Sequence, residues 1–187
     1  MALPRFQRLP ADAKAAILAV ARAHFARDGK DGASFNRIIT DAGISKTSAY
    51  HYFDGKDDLF GEVVADAAER ALAALGPWTE AATEDELWER AGAGSDRLRA
   101  HLRAHPDDRA VLSARPREQP GGHPWIRDFI ENGRRLGLIG DEPGIELVTV
   151  ATTGVLEALD SWALERPEAD GDLTAGALRQ LLSRLWK

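Results

Sequence analysis

The segment GISKTSAYHYF, Gly43–Phe53, crowds hydrogen-bonding side chains into a short stretch that contains no carboxylate. Lys46, Thr47, Ser48 and His51 carry donors and acceptors suited to base edges and phosphate oxygens, and an acidic group among them would be repelled by phosphate. Tyr50 and Tyr52 join an apolar ring to a hydroxyl tip, so the ring can brace the segment while the hydroxyl reaches a phosphate. Lys56 stands where a further helix is expected to begin. There it would add a positive charge to free backbone N–H groups, a natural phosphate clamp. Ser34, Arg37 and Ser45 complete the polar set expected at a nucleic acid. Ala49 and Phe53, four residues apart, supply the inward side.

These groups need elements to hold them. Strand-like alternation of β-branched residues is scarce, and an all-α chain is expected. A first helix is predicted from Pro10 to Arg27, with Ile17, Val20, Ala21, His24 and Phe25 as its buried stripe and Asp28-Gly29 as its stop. Ser34 is positioned to cap a second, short helix through Thr40, and Ser45 a third through Phe53. Gly43 lies in the turn between them, which makes the pair a helix-turn-helix. In such a unit the second helix enters the major groove and its N-terminal residues meet base edges. Asp54, with Asp57 three residues on, predicts a capped fourth helix that runs to Leu75 and ends at Gly76-Pro77.

Beyond it, helices are predicted over 84–104, on to 114, over 125–136, 143–165 and 173–186. The stretch RPREQPGGHP, Arg115–Pro124, carries three prolines and two glycines and is expected to be a loop. The chain therefore divides into a helix-turn-helix domain at 10–70 and a larger helical domain at 71–187, linked by the fourth helix.

Charge follows the same division. Up to Lys56 there are nine Lys/Arg against five Asp/Glu, and beyond it fifteen against twenty-five. A basic head on an acidic body suits a head that meets a polyanion. The 187 residues contain no cysteine, which excludes disulfide scaffolds and thiolate metal sites. The start MALPRFQRLPADAK lacks the long apolar run of a signal peptide, and a soluble cytoplasmic protein with no membrane segment is expected. Nucleophile-elbow glycines, a phosphate loop and a metal-binding helix signature are all missing, so no enzyme is expected.

From about Ala11 to Leu75 the chain resembles the TetR family of bacterial transcriptional repressors. The resemblance is carried by SFNRIITDAGISKTSAYHYFDGKDDLF, Ser34–Phe60: its Ala-Gly turn, Ser-Lys helix opening, Tyr-His-Tyr-Phe close and Lys-x-x-Leu-Phe sequel. Thr47 stands where the family often has glycine, and Ala49 where it often has a larger apolar residue. The resemblance implies a homodimer on a nearly palindromic double-stranded DNA operator, with the last two helices paired as a four-helix bundle. It also implies a small-molecule effector held in the helical body.

Within that body Leu156, Leu159, Leu178, Leu181, Leu182 and Leu185 form an apolar stripe wide enough for a subunit interface, although internal burial would account for half of them. Leu173 extends the stripe. Trp88, Trp125 and Phe129 are the aromatic candidates for a ligand site. Thr149, Thr153 and Glu157 fall at four-residue spacing on one helix face, a polar stripe that has to find partners, water or a ligand. His101 and His105 are read as solvated or pocket-lining, and no metal or cofactor is expected. The alternative reading is a helical ligand-sensing or protein-interaction module that uses the hairpin only to pack.

Overall fold

The computed structural model describes residues 2–114, 124–140, 142, 144–166 and 171–187, without the side chains of 171–174. The predicted loop at 115–123, the residues Pro143 and Pro167 and the Leu173 side chain lie outside the described residues. Every regular element among the described residues is helical. The chain forms two compact units. The first comprises Met1–Leu72 with Leu102–Pro116, the second Ala73–His101 with Arg117–Lys187.

The first unit holds α1 (Pro4–Gln7), α2 (Ala11–Gly32), α3 (Phe35–Asp41), α4 (Lys46–Tyr52), most of α5 (Lys56–Leu75) and α7 (Pro106–Ser113). Its core is aliphatic and aromatic: Phe6, Ile17, Ala21, Phe25, Ile38, Phe53, Leu59, Phe60, Val63 and Val111 are all nearly inaccessible. The stripe predicted on the first helix is buried at Ile17, Ala21, His24 and Phe25, and Leu18 joins it. Gly29 sits at φ +70 and interrupts α2 near the predicted stop, but a last turn continues to Gly32. The left-handed conformation there suits glycine, which has no Cβ to clash.

Two features of this unit lie outside the sequence reading. The residues before Pro10 are not a loose arm. They form α1, whose Phe6 ring packs 4.7 Å from Phe53 and 6.2 Å from Tyr52. Leu3 donates its N–H to the Tyr52 carbonyl at 2.9 Å. The second feature is α7, far along the chain, which packs on α2 and sends Val111 into the core. Asp108 of α7 is buried between Arg22 (3.2 Å) and Arg70, and both arginines also hold Asp66, at 2.9 and 2.6 Å. Two cations and two carboxylates thus neutralise one another, which is the arrangement that makes a buried charge tolerable.

The second unit holds α6 (Glu84–Ala104) up to His101, α8 (Pro124–Arg135), α9 (Ile145–Leu164) and α10 (Gly171–Leu185). A cluster of rings fills it: Trp78, Trp88, Trp125, Phe129 and Trp186 lie with centroids 5.0–6.0 Å apart. Their polar atoms find partners. Trp186 donates to Thr152 Oγ1 at 2.9 Å, and Trp78 to Asn132 Oδ1 at 3.1 Å. Asn132, 1 % exposed, also takes the Ala81 N–H and donates to the Ala81 carbonyl, which pins the segment before α6. Gly133 is required beside it, since a Cβ there would lie 2.9 Å from Trp186 Cζ3.

Candidate nucleic-acid interface

The helix-turn-helix is built by backbone chemistry that its sequence dictates. Ser34 caps α3 by accepting from the Arg37 N–H, and Ser45 caps α4 by accepting from the Ser48 N–H at 3.1 Å. At the end of α3 the Ile44 N–H reaches the Ile39 carbonyl and the Gly43 N–H reaches Thr40, both at 3.0 Å. This double closure is the Schellman motif, and it places Gly43 at φ +67. A side chain there would pay the left-handed penalty, on the order of 1–2 kcal/mol.

The turn aims α4 so that its apolar and polar sides separate. Ala49 and the following Phe53 are fully buried, while Lys46, Thr47, Tyr50 and His51 are exposed and Ser48 is half-buried beside its cap. Tyr50, half exposed, braces its ring on Phe35 at 5.7 Å; Tyr52 is half-buried between Phe6 and Phe53. Arg37 is exposed on α3. Lys56 lies at the first position of α5, where its ammonium donates to the Asp31 carbonyl at 2.7 Å. The N-terminal hydrogen bond of that helix differs from the sequence expectation: the Asp54 N–H goes to the Asp58 carboxylate, and Asp57 pairs with Lys30 instead.

Behind α3 stands a residue that the sequence reading took for plain core. His24 is 5 % exposed and bonds Asp41, the last residue of α3, through Nε2 at 2.8 Å. Its Nδ1 lies 3.0 Å from Arg27 Nη2. A guanidinium can only donate, so Nδ1 accepts and the proton sits on Nε2, toward Asp41. Arg27 in turn donates twice to Asp28 and holds that carboxyl below its usual range. The helical spacing of His24 alone gives no sign of this polar role; Asp41 seventeen residues on is the only hint.

The groups nominated in the body are not gathered in one place. Trp88, Trp125 and Phe129 are buried in the ring cluster, with Trp88 also donating to Glu84 at 3.1 Å. Thr149 and Thr153 bond back to the carbonyls of Ile145 and Thr149 on their own helix, and Glu157 is exposed. His101 is half-buried near the end of α6. Leu156, Leu178 and Leu182 are buried inside the unit, Leu159 and Leu185 are half-buried, and Leu181 is 46 % exposed. The large apolar side chains that face outward lie elsewhere: Ile145, Leu147, Val150 and Trp162 on α9, with Leu181 on α10. α9 is the one described helix long and apolar enough to cross a membrane, yet only a third of that stretch is buried within the chain.

A short helix whose polar N-terminal residues face outward, set on a capped and glycine-turned hairpin, defines a helix-turn-helix DNA-binding protein. The sequence from residue 17 to 63 matches the family described as bacterial regulatory proteins, tetR family. The chain belongs to the TetR family of transcription regulators. No curated protein matches the sequence. Among solved structures, a tetR-family transcription regulator from Shewanella sp. PV-4 is similar over 92 % of this chain and 96 % of its own, at 20 % identity and a TM-score of 0.70. A TetR-like transcriptional regulator from Rhodococcus sp. RHA1 is 23 % identical over 95 % and 97 % of the two chains, with a TM-score of 0.62. The fatty acid degradation regulator FadR from Bacillus halodurans is 16 % identical over 94 % and 97 %, with a TM-score of 0.64.

Proposed function

We propose that this regulator is a cytoplasmic homodimeric repressor that grips a near-palindromic operator and lets go when a small molecule occupies its second unit. The outward-facing polar end of α4 carries the reading. Lys46, Thr47 and Ser48 would meet base edges, with Arg37, Tyr50, His51, Tyr52 and Lys56 on flanking phosphates. Lys56 would keep its hold on Asp31 while its remaining donors reach outward.

The second copy is supported by the apolar outer face of α9. Ile145, Leu147, Val150 and Trp162, with Leu181 of α10, leave more hydrocarbon in water than a monomer normally tolerates in one place. Two-fold pairing over that face would place two reading helices on one duplex, and half-sites would recur at about one helical turn or a multiple. α5 runs across the division between the units at Leu72–Ala73, so it is the covalent path by which an effector would act.

Titration of the protein into random-sequence duplex at low salt tests the reading. Retarded complexes that dissolve as salt rises are expected. A protein that never retards DNA would instead be a helical sensing or interaction module.

A further inference from the structure

We propose that a crevice among α6, α9 and α10 in the second unit receives the head of an amphipathic primary amine; this names the effector class and rests on reading that unit as the sensor. Three polar residues line the crevice, Ser95, Arg99 and Asp160, together with Leu156, Leu159 and Leu178. Its volume is about 10 Å³, room for one water-sized group, and Gly92 and Ala175 leave it that space.

The polar groups are built in and incompletely used. Ser95 is 6 % exposed and its hydroxyl makes no hydrogen bond. Arg99 is 4 % exposed and fully engaged, donating to Asp96 from its own helix and to Asp160 Oδ1 of α9 at 3.0 Å. The second oxygen of Asp160 takes no hydrogen bond. One guanidinium therefore faces two carboxylates, and the set carries a net negative charge with two idle acceptors. The lining contributed by α10, Ala175 and Leu178, is uncharged.

An alkylammonium matches this chemistry. Its head is the size of a water, brings only donors and supplies the missing positive charge. Its tail would lie along Leu156, Leu159 and Leu178. A carboxylate head is larger, offers acceptors to acceptors and adds a further negative charge. The electrostatics agree: burial outweighs Arg99 and pushes the Asp160 carboxyl up to about 6, so its charge is under-compensated and a cation would relieve it.

Calorimetric titration of the full chain at pH 7.5 with n-hexylamine, n-hexanoate and n-hexanol tests the site. Saturable binding of hexylamine alone is expected, weakened about tenfold or more in Asp160→Asn and in Ser95→Ala through loss of a charge-assisted bond. Thermal melts of both variants confirm that they are folded. Hexanoate binding as tightly as hexylamine, equal affinity in wild type and Asp160→Asn, or no hexylamine binding at all would each overturn the proposal. A DNA retardation assay separates the two readings. Hexylamine that binds without changing DNA affinity keeps the site and sinks its role as effector. Release by other small molecules, with no hexylamine binding, keeps the sensor and sinks this site.

Discussion

α4 and α9 each show water the wrong side chains, and in opposite senses. α4 leaves hydrogen-bonding groups exposed around Lys46, Thr47 and His51 with few partners in the protein, whereas α9 leaves Leu147, Val150 and Trp162 exposed. A polar surface without partners costs nothing in water and is only useful to something that needs its donors. An apolar surface in water is costly and is relieved by burial. The first helix is thus poised for a charged, hydrated partner, and the second for a dry one. The two contacts should answer to different variables: salt for α4, protein concentration for α9.

That contrast can be broken at either end. The largest effect is expected from salt. With Arg37, Lys46 and Lys56 on phosphates in both subunits, raising salt from about 50 to 200 mM should weaken DNA binding on the order of 10³-fold, read from fluorescence anisotropy. Subunit association followed by sedimentation over the same range should barely move. Next comes the dry face. Leu147→Glu with Val150→Glu should weaken association roughly 10²-fold, since each buried aliphatic side chain contributes on the order of 1–2 kcal/mol; unchanged sedimentation would relocate the interface.

A third test concerns Asp160. Its folded carboxyl titrates near 6 against an ordinary value of 3.8, because burial disfavours its charge. The folded state therefore binds the proton more tightly, and this group's contribution to stability falls as pH rises from about 4 through 6. Relative to Asp160→Asn, the wild type should gain about 2 kcal/mol between pH 7 and 4.5, measured by urea unfolding. The smallest effect is local: Ser45→Ala removes the cap of α4 and should cost about 1 kcal/mol.

Local signals made the reading unit legible. Caps at Ser34 and Ser45, a turn glycine at 43 and the alternation of polar and apolar groups through α4 act over a few residues, and the structure uses them as the sequence suggests. What stayed hidden depends on partners distant in sequence. Asp108 joins the first unit only because α7 returns to α2, and two arginines 86 and 38 residues before it meet there. His24 reads as core by spacing and as a polar link only once Asp41 is beside it. In the body, a leucine at helical spacing can face inward or outward, and periodicity does not say which neighbour covers it. Leu156, Leu178 and Leu182 turn inward to their own unit while Leu147 and Val150 turn out.

The account stands on α4 entering the major groove by its N-terminal end. Selection of binding sites from a random duplex pool, run in parallel with wild type and Thr47→Ala, tests this directly. The wild type should yield a two-fold symmetric site, and the variant should change the preferred base at one symmetry-related position in each half while binding random DNA equally well. Identical preferences from the two proteins, or no symmetric site from either, would contradict it.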